Sequence, residues 1–299
     1  MTIEFQPLHP LFAARVSGVD RTMPLDAASL ARLVEGINRY AVLVFPGGKL
    51  SADEQVAFAR HFGELENYAH SYREGEQPRH RLEIADQSNL DAQDRLRGRA
   101  DRRRFRSLAN RLWHTDSSFR RVPGALSLLH AHVVPPWGGE TEFADLRAAY
   151  DALAPEVQAR IQDLVAEHEY AHSRAIIGFT DFNAEERGAL PPVPQRVVRR
   201  HPGSGRKTLY LASHAFRIQG MPAPEGRMLL LDLIEHATQR QFVYRHAWQV
   251  GDLVLWDNRC TMHRGRPYDE STVRDLRRVT TMDVASTLEQ EPIPLPLPA

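Results

Sequence analysis

The feature that most constrains the fold of this 299-residue chain is a series of short segments with strand patterns, widely separated in sequence. The most apolar of them have the length and the composition of buried strands. Helical segments do not alternate with them at the regular spacing that a doubly wound parallel sheet requires. The pattern therefore predicts an antiparallel barrel or jelly roll, mainly β, with flanking helices packed outside. The predicted strands lie at 41–45, 125–134, 140–144, 208–212, 252–256 and 277–283.

Four amphipathic segments predict the flanking helices. In the second of them, Ser51 has the character of an N-cap, Glu54 completes a capping box and Gly63 ends the helix. We find no internal repeat, and the length allows one large domain with a full core. We therefore predict a single domain over 1–299. The predicted helices lie at 27–39, 51–63, 146–165 and 225–239.

The segment 66–112 is polar and lacks helical or strand periodicity. Long irregular segments inside a domain often cover functional sites, so we predict a lid loop here. Within it, RLRGRADRRRFR at 95–106 has seven arginines in twelve residues. Phe105 is the one aromatic residue in that stretch, and no nucleic-acid-binding module surrounds it, which argues for a solvated lid face. The proline-rich end of the chain predicts an extended tail at 288–299.

The charge balance excludes several classes of partner. Lysine plus arginine number 38 and aspartate plus glutamate number 38, so the formal net charge is zero. A neutral chain has no general attraction to nucleic acid or to anionic lipid. No apolar stretch approaches the roughly 18 residues of a membrane span, and the first residues lack the pattern of a secretory signal. One cysteine rules out an internal disulfide framework, and we expect a cytoplasmic protein.

A histidine and a carboxylate two residues apart are the first candidates for metal binding. On an extended segment, residues i and i+2 face the same side, so His114 and Asp116 can converge on a metal. Taken alone, this pair is no more than chance would produce. His263 follows a predicted buried strand, and Arg274 and Arg278 lie 11 and 15 residues beyond it. Two histidines with one carboxylate leave positions of an iron(II) ion open for a co-substrate and oxygen. A keto acid could chelate the iron there, and an arginine suits its distal carboxylate.

Five further stretches, which together span nearly the whole chain, match a known family. They are LHPLFAA (8–14), LWHTDSSF (112–119), VVPPWGGETEFADLRAAYDAL (133–153), GSGRKTLY (203–210) and the segment 225–269. With these motifs the sequence resembles the taurine/2,4-D dioxygenase family of iron(II)- and 2-oxoglutarate-dependent oxygenases, and most of all its members that act on aryloxyacetates. The fold implied by the resemblance is the double-stranded β-helix, a jelly roll. That implication agrees with the strand pattern.

The resemblance implies roles for residues at matching positions around the metal. Thr141 and Arg274 would hold the distal carboxylate of 2-oxoglutarate, and Trp256 would form a wall beside the iron. The cofactors implied are iron(II), with 2-oxoglutarate as co-substrate, and O2, while ascorbate would maintain activity. The implied iron ligands, which are also the catalytic residues, are His114, Asp116 and His263.

Three more residues match positions that concern the prime substrate. Asn110 and Arg278 would face it, with Arg278 binding its anionic group, and His214 stands where the family also has a histidine. The resemblance implies hydroxylation of a small anionic substrate, foremost an aryloxyacetate such as 2,4-dichlorophenoxyacetate. The products would be a phenol, glyoxylate, succinate and CO2. We expect no nucleic-acid or membrane partner, and we expect a homo-oligomer.

Three alternatives are left open by the residues. A taurine or alkylsulfonate dioxygenase would use the same chemistry, and Arg278 suits a sulfonate as well as a carboxylate. A zinc-dependent hydrolase could use the same three ligands with an activated water. Such a hydrolase would have no use for a 2-oxoglutarate-binding arginine at 274. A catalytically silent binding protein on the same fold is disfavoured by the intact ligand set.

Overall fold

Four β-sheets with helices around them form the framework of the computed structural model, which describes residues 2–73 and 75–290. The strands are β1 (Glu4–Pro7), β2 (Ala14–Ser17), β3 (Val42–Phe45), β4 (Ala85–Asp86), β5 (Gly124–Val133), β6 (Thr141–Asp145), β7 (Val165–His168), β8 (Val193–Arg196), β9 (Val198–Arg200), β10 (Lys207–Leu209), β11 (Ala215–Ile218), β12 (Val243–His246), β13 (Leu253–Asp257), β14 (Thr261–Gly265) and β15 (Asp275–Met282). The helices are α1 (Ala27–Tyr40), α2 (Ala52–Arg60), α3 (Arg102–Ser107), α4 (Leu146–Asp151), α5 (Pro155–Ile161), α6 (Tyr170–Ile176), α7 (Ala184–Ala189) and α8 (Ala223–Ala237). Most of the predicted tail, 291–299, lies outside the described residues.

The largest sheet has seven strands in the order β1-β2-β3-β13-β5-β15-β4. Its neighbours are antiparallel except for the pair β2 and β3, which is parallel. β5 is its long central strand, and the first eight residues of β5 are buried. A strand covered on both faces reads as one continuous apolar run, which is why the sequence located it. The strands predicted at 125–134, 252–256 and 277–283 are confirmed as β5, β13 and β15.

A three-stranded sheet in the order β12-β6-β14 packs against the large sheet. One apolar cluster joins the two, because it contains Phe143 of β6 together with Leu129 of β5 and Trp256 of β13. Two smaller sheets, β11-β7-β8 and β10-β9, complete the framework. The predicted strand 208–212 is therefore shorter than expected, since β10 covers only Lys207–Leu209. The facing sheets leave the ends of β13 and β14 close to each other.

The helices begin and end largely where local chemistry requires. In α1 the Asp26 side chain accepts a hydrogen bond from Ser29 N–H as an N-cap, and the predicted capping box of Ser51 and Glu54 opens α2. The single helix predicted at 146–165 is instead two helices, α4 and α5. Pro155 cannot occupy a helix interior but suits a first turn, so it begins α5. Within the described ranges, no helix has both the length and the apolar character needed to cross a bilayer.

The segment 66–112 contains only short elements, as its lack of periodicity indicated. Its strand β4 pairs with β15, and its helix α3 carries part of the arginine-rich stretch. The Arg102 guanidinium bonds Asp181 and Glu186, both at 2.7 Å, and Arg104 pairs with Glu270. These arginines are thus partnered by carboxylates of the same chain, and their charge is largely balanced within it.

A buried ion pair at the end of β6 supplies a test of the fold's energetics. Asp145 is fully buried, caps α4 and bonds Arg147 Nε at 3.0 Å. We expect Asp145→Asn to lower the free energy of unfolding by about 3 kcal/mol, because it leaves a buried guanidinium without its counter-charge. Urea unfolding measures this value. The control is Asp151→Asn, which breaks an exposed pair with Arg206 and is expected to change stability far less. Equal effects of the two changes would contradict this account of the pair.

Candidate active site

The site begins at a short backbone bridge between residues distant in sequence. His114 follows the segment 66–112, and His263 lies in the middle of β14. The His114 N–H donates to the His263 carbonyl at 3.0 Å, and the His263 N–H donates back at 2.8 Å. The two imidazole rings consequently lie with their centroids 4.2 Å apart. The bridge therefore fixes the spacing of the two histidines through the backbone.

Asp116 completes a buried cluster with the two histidines. Its Oδ1 lies 3.8 Å from His114 Nε2 and 3.7 Å from His263 Nε2. Its Oδ2 accepts a hydrogen bond from Ser127 Oγ at 2.8 Å, and its N–H donates to Asn258 Oδ1. One candidate ligand atom from each of the three residues lies within 4.8 Å of the others. The sheet thus holds the carboxylate facing the two imidazoles.

The protonation states in this cluster suit a divalent metal. His114 Nδ1 lies 2.8 Å from the Leu112 carbonyl oxygen, so Nδ1–H donates there and Nε2 keeps its lone pair. Burial lowers the pKa of His114 to about 4 and that of His263 well below its ordinary value. Burial alone would raise the pKa of Asp116, but Arg278 and the two histidines outweigh it and lower that pKa. Two neutral imidazoles and an ionised carboxylate are what metal binding requires.

On the His263 side of the cluster lies a cavity that we call the Arg274 cavity. It is lined by Thr141, Trp256, His263 and Arg274, among others. The Trp256 ring is buried, with its centroid 4.8 Å from that of His263. Arg274 Nη1 donates to the Gln87 carbonyl at 2.7 Å, whereas its buried Nε has no hydrogen-bond partner. The cavity therefore contains the Arg274 guanidinium, which is not part of the metal cluster and whose Nε can still donate a hydrogen bond.

On the Asp116 side lies a second cavity, which we call the Arg174 cavity. Its lining includes Phe119, Tyr170, Arg174 and His214. The three rings pack together, with Phe119 centred 4.8 Å from Tyr170 and 4.9 Å from His214. His214 is buried and its Nδ1 has no hydrogen-bond partner in the described residues. The cavity thus combines an aromatic wall with polar groups that have unused hydrogen-bonding capacity.

Seven residues line both cavities, and one of them, Arg278, is ion-paired with Asp116 of the metal cluster. Asn110, His114 and Arg278 lie at the junction, where Asn110 Nδ2 donates to the Gln87 side chain at 3.0 Å. Arg278 Nη1 donates to Asp116 Oδ1, while its buried Nε has no partner. Burial alone would lower the pKa of Arg278, but Asp116 and other acidic neighbours raise it overall. Arg278 therefore stays positively charged, and the Asp116 carboxylate partly balances this charge.

Comparison with known proteins identifies the family. A profile of the family described as taurine catabolism dioxygenase TauD, TfdA family matches residues 4–280. The chain belongs to this family.

Three relatives of this TauD/TfdA family member cover nearly all of it. It is 48% identical over 285 residues to the alpha-ketoglutarate-dependent 2,4-dichlorophenoxyacetate dioxygenase of Cupriavidus pinatubonensis, covering 95% of this chain and 99% of that one. It is 37% identical to the (S)-phenoxypropionate/alpha-ketoglutarate-dioxygenase of Sphingobium herbicidovorans, at 91% and 92% coverage. A crystal structure of AAD-2 in complex with Mn(II) and N-oxalylglycine matches with a TM-score of 0.93 at 46% identity, covering 96% of this chain and 100% of AAD-2. This TauD/TfdA protein is accordingly an oxidoreductase, a 2-oxoglutarate (alpha-ketoglutarate)-dependent dioxygenase, and its family implies a metal and O2.

The TauD/TfdA protein places all nine sequence-predicted side chains around the two adjoining cavities. They are Asn110, His114, Asp116, Thr141, His214, Trp256, His263, Arg274 and Arg278. One contact differs from expectation, because Arg278 bonds Asp116 rather than standing free for a substrate. Thr141 Oγ1 also has a partner, since it accepts from Trp248 Nε1 at 3.0 Å.

Sequence reasoning missed Arg174, the buried arginine of the second cavity. It lies in α6, a helix of seven residues. The polar and charged residues near it in the sequence do not recur at a spacing that would predict a helix face. Only the packing of α6 against β11 and the turn Leu108–Arg111 brings it to the cavity. In a chain rich in arginine, nothing in the sequence separates this one from arginines at the surface.

Proposed function

We propose that this protein is an iron(II)- and 2-oxoglutarate-dependent dioxygenase that hydroxylates a small anionic substrate, specifically an aryloxyacetate such as 2,4-dichlorophenoxyacetate. The observation that carries the proposal is the buried cluster of His114, Asp116 and His263 between two cavities that each contain an arginine with a buried Nε. One cavity suits the dicarboxylate co-substrate and the other suits an anionic prime substrate. The activities of the named relatives support the same assignment.

The residues present fit the iron. His114 and His263 offer neutral imidazole nitrogens, Asp116 offers a carboxylate oxygen, and a 2-His-1-carboxylate set is typical of non-haem iron(II) oxygenases. When bound, iron and 2-oxoglutarate together activate O2 for insertion of one oxygen atom into a substrate C–H bond, with release of succinate and CO2. The protein keeps Asp116 in place through Ser127 and orients His114 through the Leu112 carbonyl.

The Arg274 cavity binds 2-oxoglutarate in this proposal. Arg274 holds the distal carboxylate, since its buried Nε is an unused donor and a guanidinium matches a carboxylate with two parallel hydrogen bonds. Thr141 adds a hydroxyl contact at the same carboxylate. Trp256 walls the cavity beside the metal cluster and excludes water from it. These contacts fix the keto acid's position without taking part in bond breaking.

The Arg174 cavity binds the prime substrate. Arg278 contacts its anionic group, Asn110 and His214 contribute polar contacts, and the rings of Phe119 and Tyr170 accept an aryl group. Holding the carboxylate and the ring together turns the carbon between the ether oxygen and the carboxylate toward the metal cluster. Hydroxylation of that carbon gives a hemiacetal, which collapses to a phenol and glyoxylate.

The proposal also covers the fold, the lid segment, the native metal, the location and the oligomeric state. We propose that the sheets β12-β6-β14 and β13-β5-β15 form a double-stranded β-helix, or jelly roll, within a single domain over 1–299. The segment 66–112 contributes lining to both cavities, which supports its role as a lid. We further propose iron(II) as the native metal, ascorbate as the agent that maintains activity, a cytoplasmic location and a homo-oligomer.

Two other functions make different predictions about this site. A taurine or alkylsulfonate dioxygenase would place a sulfonate at Arg278, but the ring cluster of Phe119, Tyr170 and His214 favours an aryl substrate. A zinc-dependent hydrolase would need a general base and an activated water at the metal. It leaves Arg274, which lines the adjoining cavity without a carboxylate partner among the described residues, unexplained.

A substrate panel tests the proposal. The protein with iron(II), 2-oxoglutarate and air is given aryloxyacetates, phenoxypropionates, arylacetates or alkylsulfonates, and succinate release is measured for each. We expect aryloxyacetates to give the highest kcat/KM. A higher value for taurine would overturn the substrate assignment while keeping the reaction class. Turnover that proceeds with zinc alone and without 2-oxoglutarate would overturn both.

A further inference from the structure

Three arginines are buried in the described part of the chain, and they differ in their partners. Arg147 pairs with Asp145 at 3.0 Å, and Arg199 pairs with Asp283 at 2.7 Å. Arg174 is 8% exposed and forms no ion pair with any carboxylate of the described residues. A buried charge without a counter-charge is costly, so proteins seldom keep one without a function.

The contacts that Arg174 makes in the described residues are with uncharged groups, among them a side-chain hydrogen bond with Tyr170. Its Nη1 donates to the hydroxyl of the adjacent Ser173 at 2.8 Å, and its Nη2 reaches Asn110 Oδ1 only at 3.5 Å. The guanidinium carbon lies 4.0 Å from the centroid of the Tyr170 ring. Its buried Nε has no hydrogen-bond partner. None of these groups is an anion, so the guanidinium is positioned by its neighbours but not neutralised by them.

The surrounding cavity is short of negative charge. Its acidic lining consists of Asp116, bonded to Arg278, and Asp86, which pairs with Arg79 at 3.1 Å. Both carboxylates are therefore already matched by other cations. An anion that bound at Arg278 alone would meet a guanidinium whose charge is partly cancelled by Asp116. Arg103 and Arg106 also line the cavity without an ion pair to a carboxylate of the described residues, but both are only half-buried. Among the guanidiniums of the lining, the buried one without a carboxylate partner is Arg174.

Arg274, in the adjoining cavity, shares two of these features. Its side chain is only half-buried, but its Nε is buried without a hydrogen-bond partner, and it forms no ion pair with a carboxylate of the described residues. The proposed function explains that arrangement by the distal carboxylate of 2-oxoglutarate. Each cavity thus contains a guanidinium, Arg174 or Arg274, that has a buried Nε and no ion pair with a carboxylate of the described residues.

Building on the proposed function, we propose that Arg174 supplies a second guanidinium to the anionic group of the prime substrate, alongside Arg278. Arg174 then determines specificity for acids over neutral analogues, because it provides the net positive charge that Arg278 lacks beside Asp116. Its stacking on Tyr170 holds it against the same aromatic wall that accepts the aryl ring. An aryl acid therefore contacts both features at once.

The test is direct binding in the absence of turnover. Isothermal titration of the protein loaded with Mn(II) and N-oxalylglycine gives the Kd of 2,4-dichlorophenoxyacetate and of its neutral amide. We expect Arg174→Met to raise the Kd of the acid about tenfold or more while changing that of the amide less than about threefold. Arg174→Lys should restore part of the acid's affinity, since it returns a charge without the planar fork. An unchanged Kd for the acid, or equal losses for acid and amide, would overturn the proposal.

A matched control uses another arginine of the same cavity. Arg97 lines it but is already paired with Asp101 at 3.3 Å. We expect Arg97→Met to change the Kd of the acid less than about threefold, because that charge is balanced within the chain. Equal effects of the two substitutions would mean that only the general field of the cavity matters, which would also overturn the role of Arg174.

Thermal unfolding separates ligand binding from a structural role. If Arg174 serves the substrate, Arg174→Met removes an uncompensated buried charge, and the Tm of the ligand-free protein stays the same or rises. A clear fall in Tm would assign Arg174 to the fold instead. If the wild type binds neither the acid nor the amide, the proposed substrate is wrong. The best-binding acid of the panel and its neutral analogue then replace them, and failure of every acid to bind would overturn the role of Arg174 as well.

Discussion

Replacing Asp116 with alanine is expected to lower succinate release at least about a hundredfold, because even residues that merely support a metal ligand contribute ten- to a hundredfold. The carboxylate is the one anionic group of the buried cluster, and no other acid of the described residues lies with His114 and His263 in a metal-binding group. Succinate release with saturating iron(II) and 2-oxoglutarate measures the loss. Titration with Mn(II) measures the accompanying loss of metal affinity.

A graded control accompanies this substitution. Ser127→Ala keeps the carboxylate but removes the hydrogen bond to Asp116 Oδ2, together with those to Thr280 and Asn258, so we expect a loss of about tenfold in metal affinity. Circular dichroism distinguishes this from unfolding, which matters because Asp116→Ala also leaves the Arg278 guanidinium without its partner. Full succinate release by a folded Asp116→Ala protein would show that the metal cluster is misassigned.

Replacing Arg274 with glutamine is expected to raise the KM for 2-oxoglutarate by roughly 30-fold to 5,000-fold, the range for removing one partner of a buried charge pair. The reason is that the distal carboxylate would enter the buried cavity without a counter-charge. The KM for the aryloxyacetate should change far less, since the prime substrate occupies the other cavity. Steady-state kinetics with each substrate varied in turn measures both values.

The strand that follows Arg274, β15, offers a matched control. Arg277 lies three residues further along the chain and pairs with Asp275 at 2.8 Å, outside the lining of both cavities. Arg277→Gln should leave the KM for 2-oxoglutarate within about threefold of the wild-type value. If Arg274→Gln affected the two substrates equally, the division of the two cavities between co-substrate and prime substrate would be wrong.

The sequence predicted the strands whose signal is local. β5 and β13 are buried along most or all of their length, and their largely apolar sequences locate them without knowledge of their partners. The prediction of a single helix at 146–165 was wrong, because Pro155 begins a second helix instead of continuing the first. The pairing order of the strands could not be derived from periodicity, since register depends on contacts between distant segments.

In the candidate site, too, residues close together in the sequence could be predicted, whereas contacts between distant residues could not. His114 and Asp116 are two residues apart, and the motifs around them suffice to nominate both. Their proximity to His263 depends on the backbone bridge between His114 and His263, which cannot be predicted from the sequence. The ion pair of Arg278 with Asp116, and the lack of a carboxylate partner for Arg174 among the described residues, are properties of three-dimensional packing. The spacing of residues along the sequence does not predict whether a carboxylate lies next to a given arginine.

The measurement that tests this account most directly is the paired yield of phenol and succinate from 2,4-dichlorophenoxyacetate. The wild-type protein is supplied with iron(II) and 2-oxoglutarate, with and without air, and with zinc in place of iron. The account predicts one phenol for each succinate in air with iron(II), and neither product without O2 or with zinc. Phenol formed without O2, or without a matching amount of succinate, would contradict it.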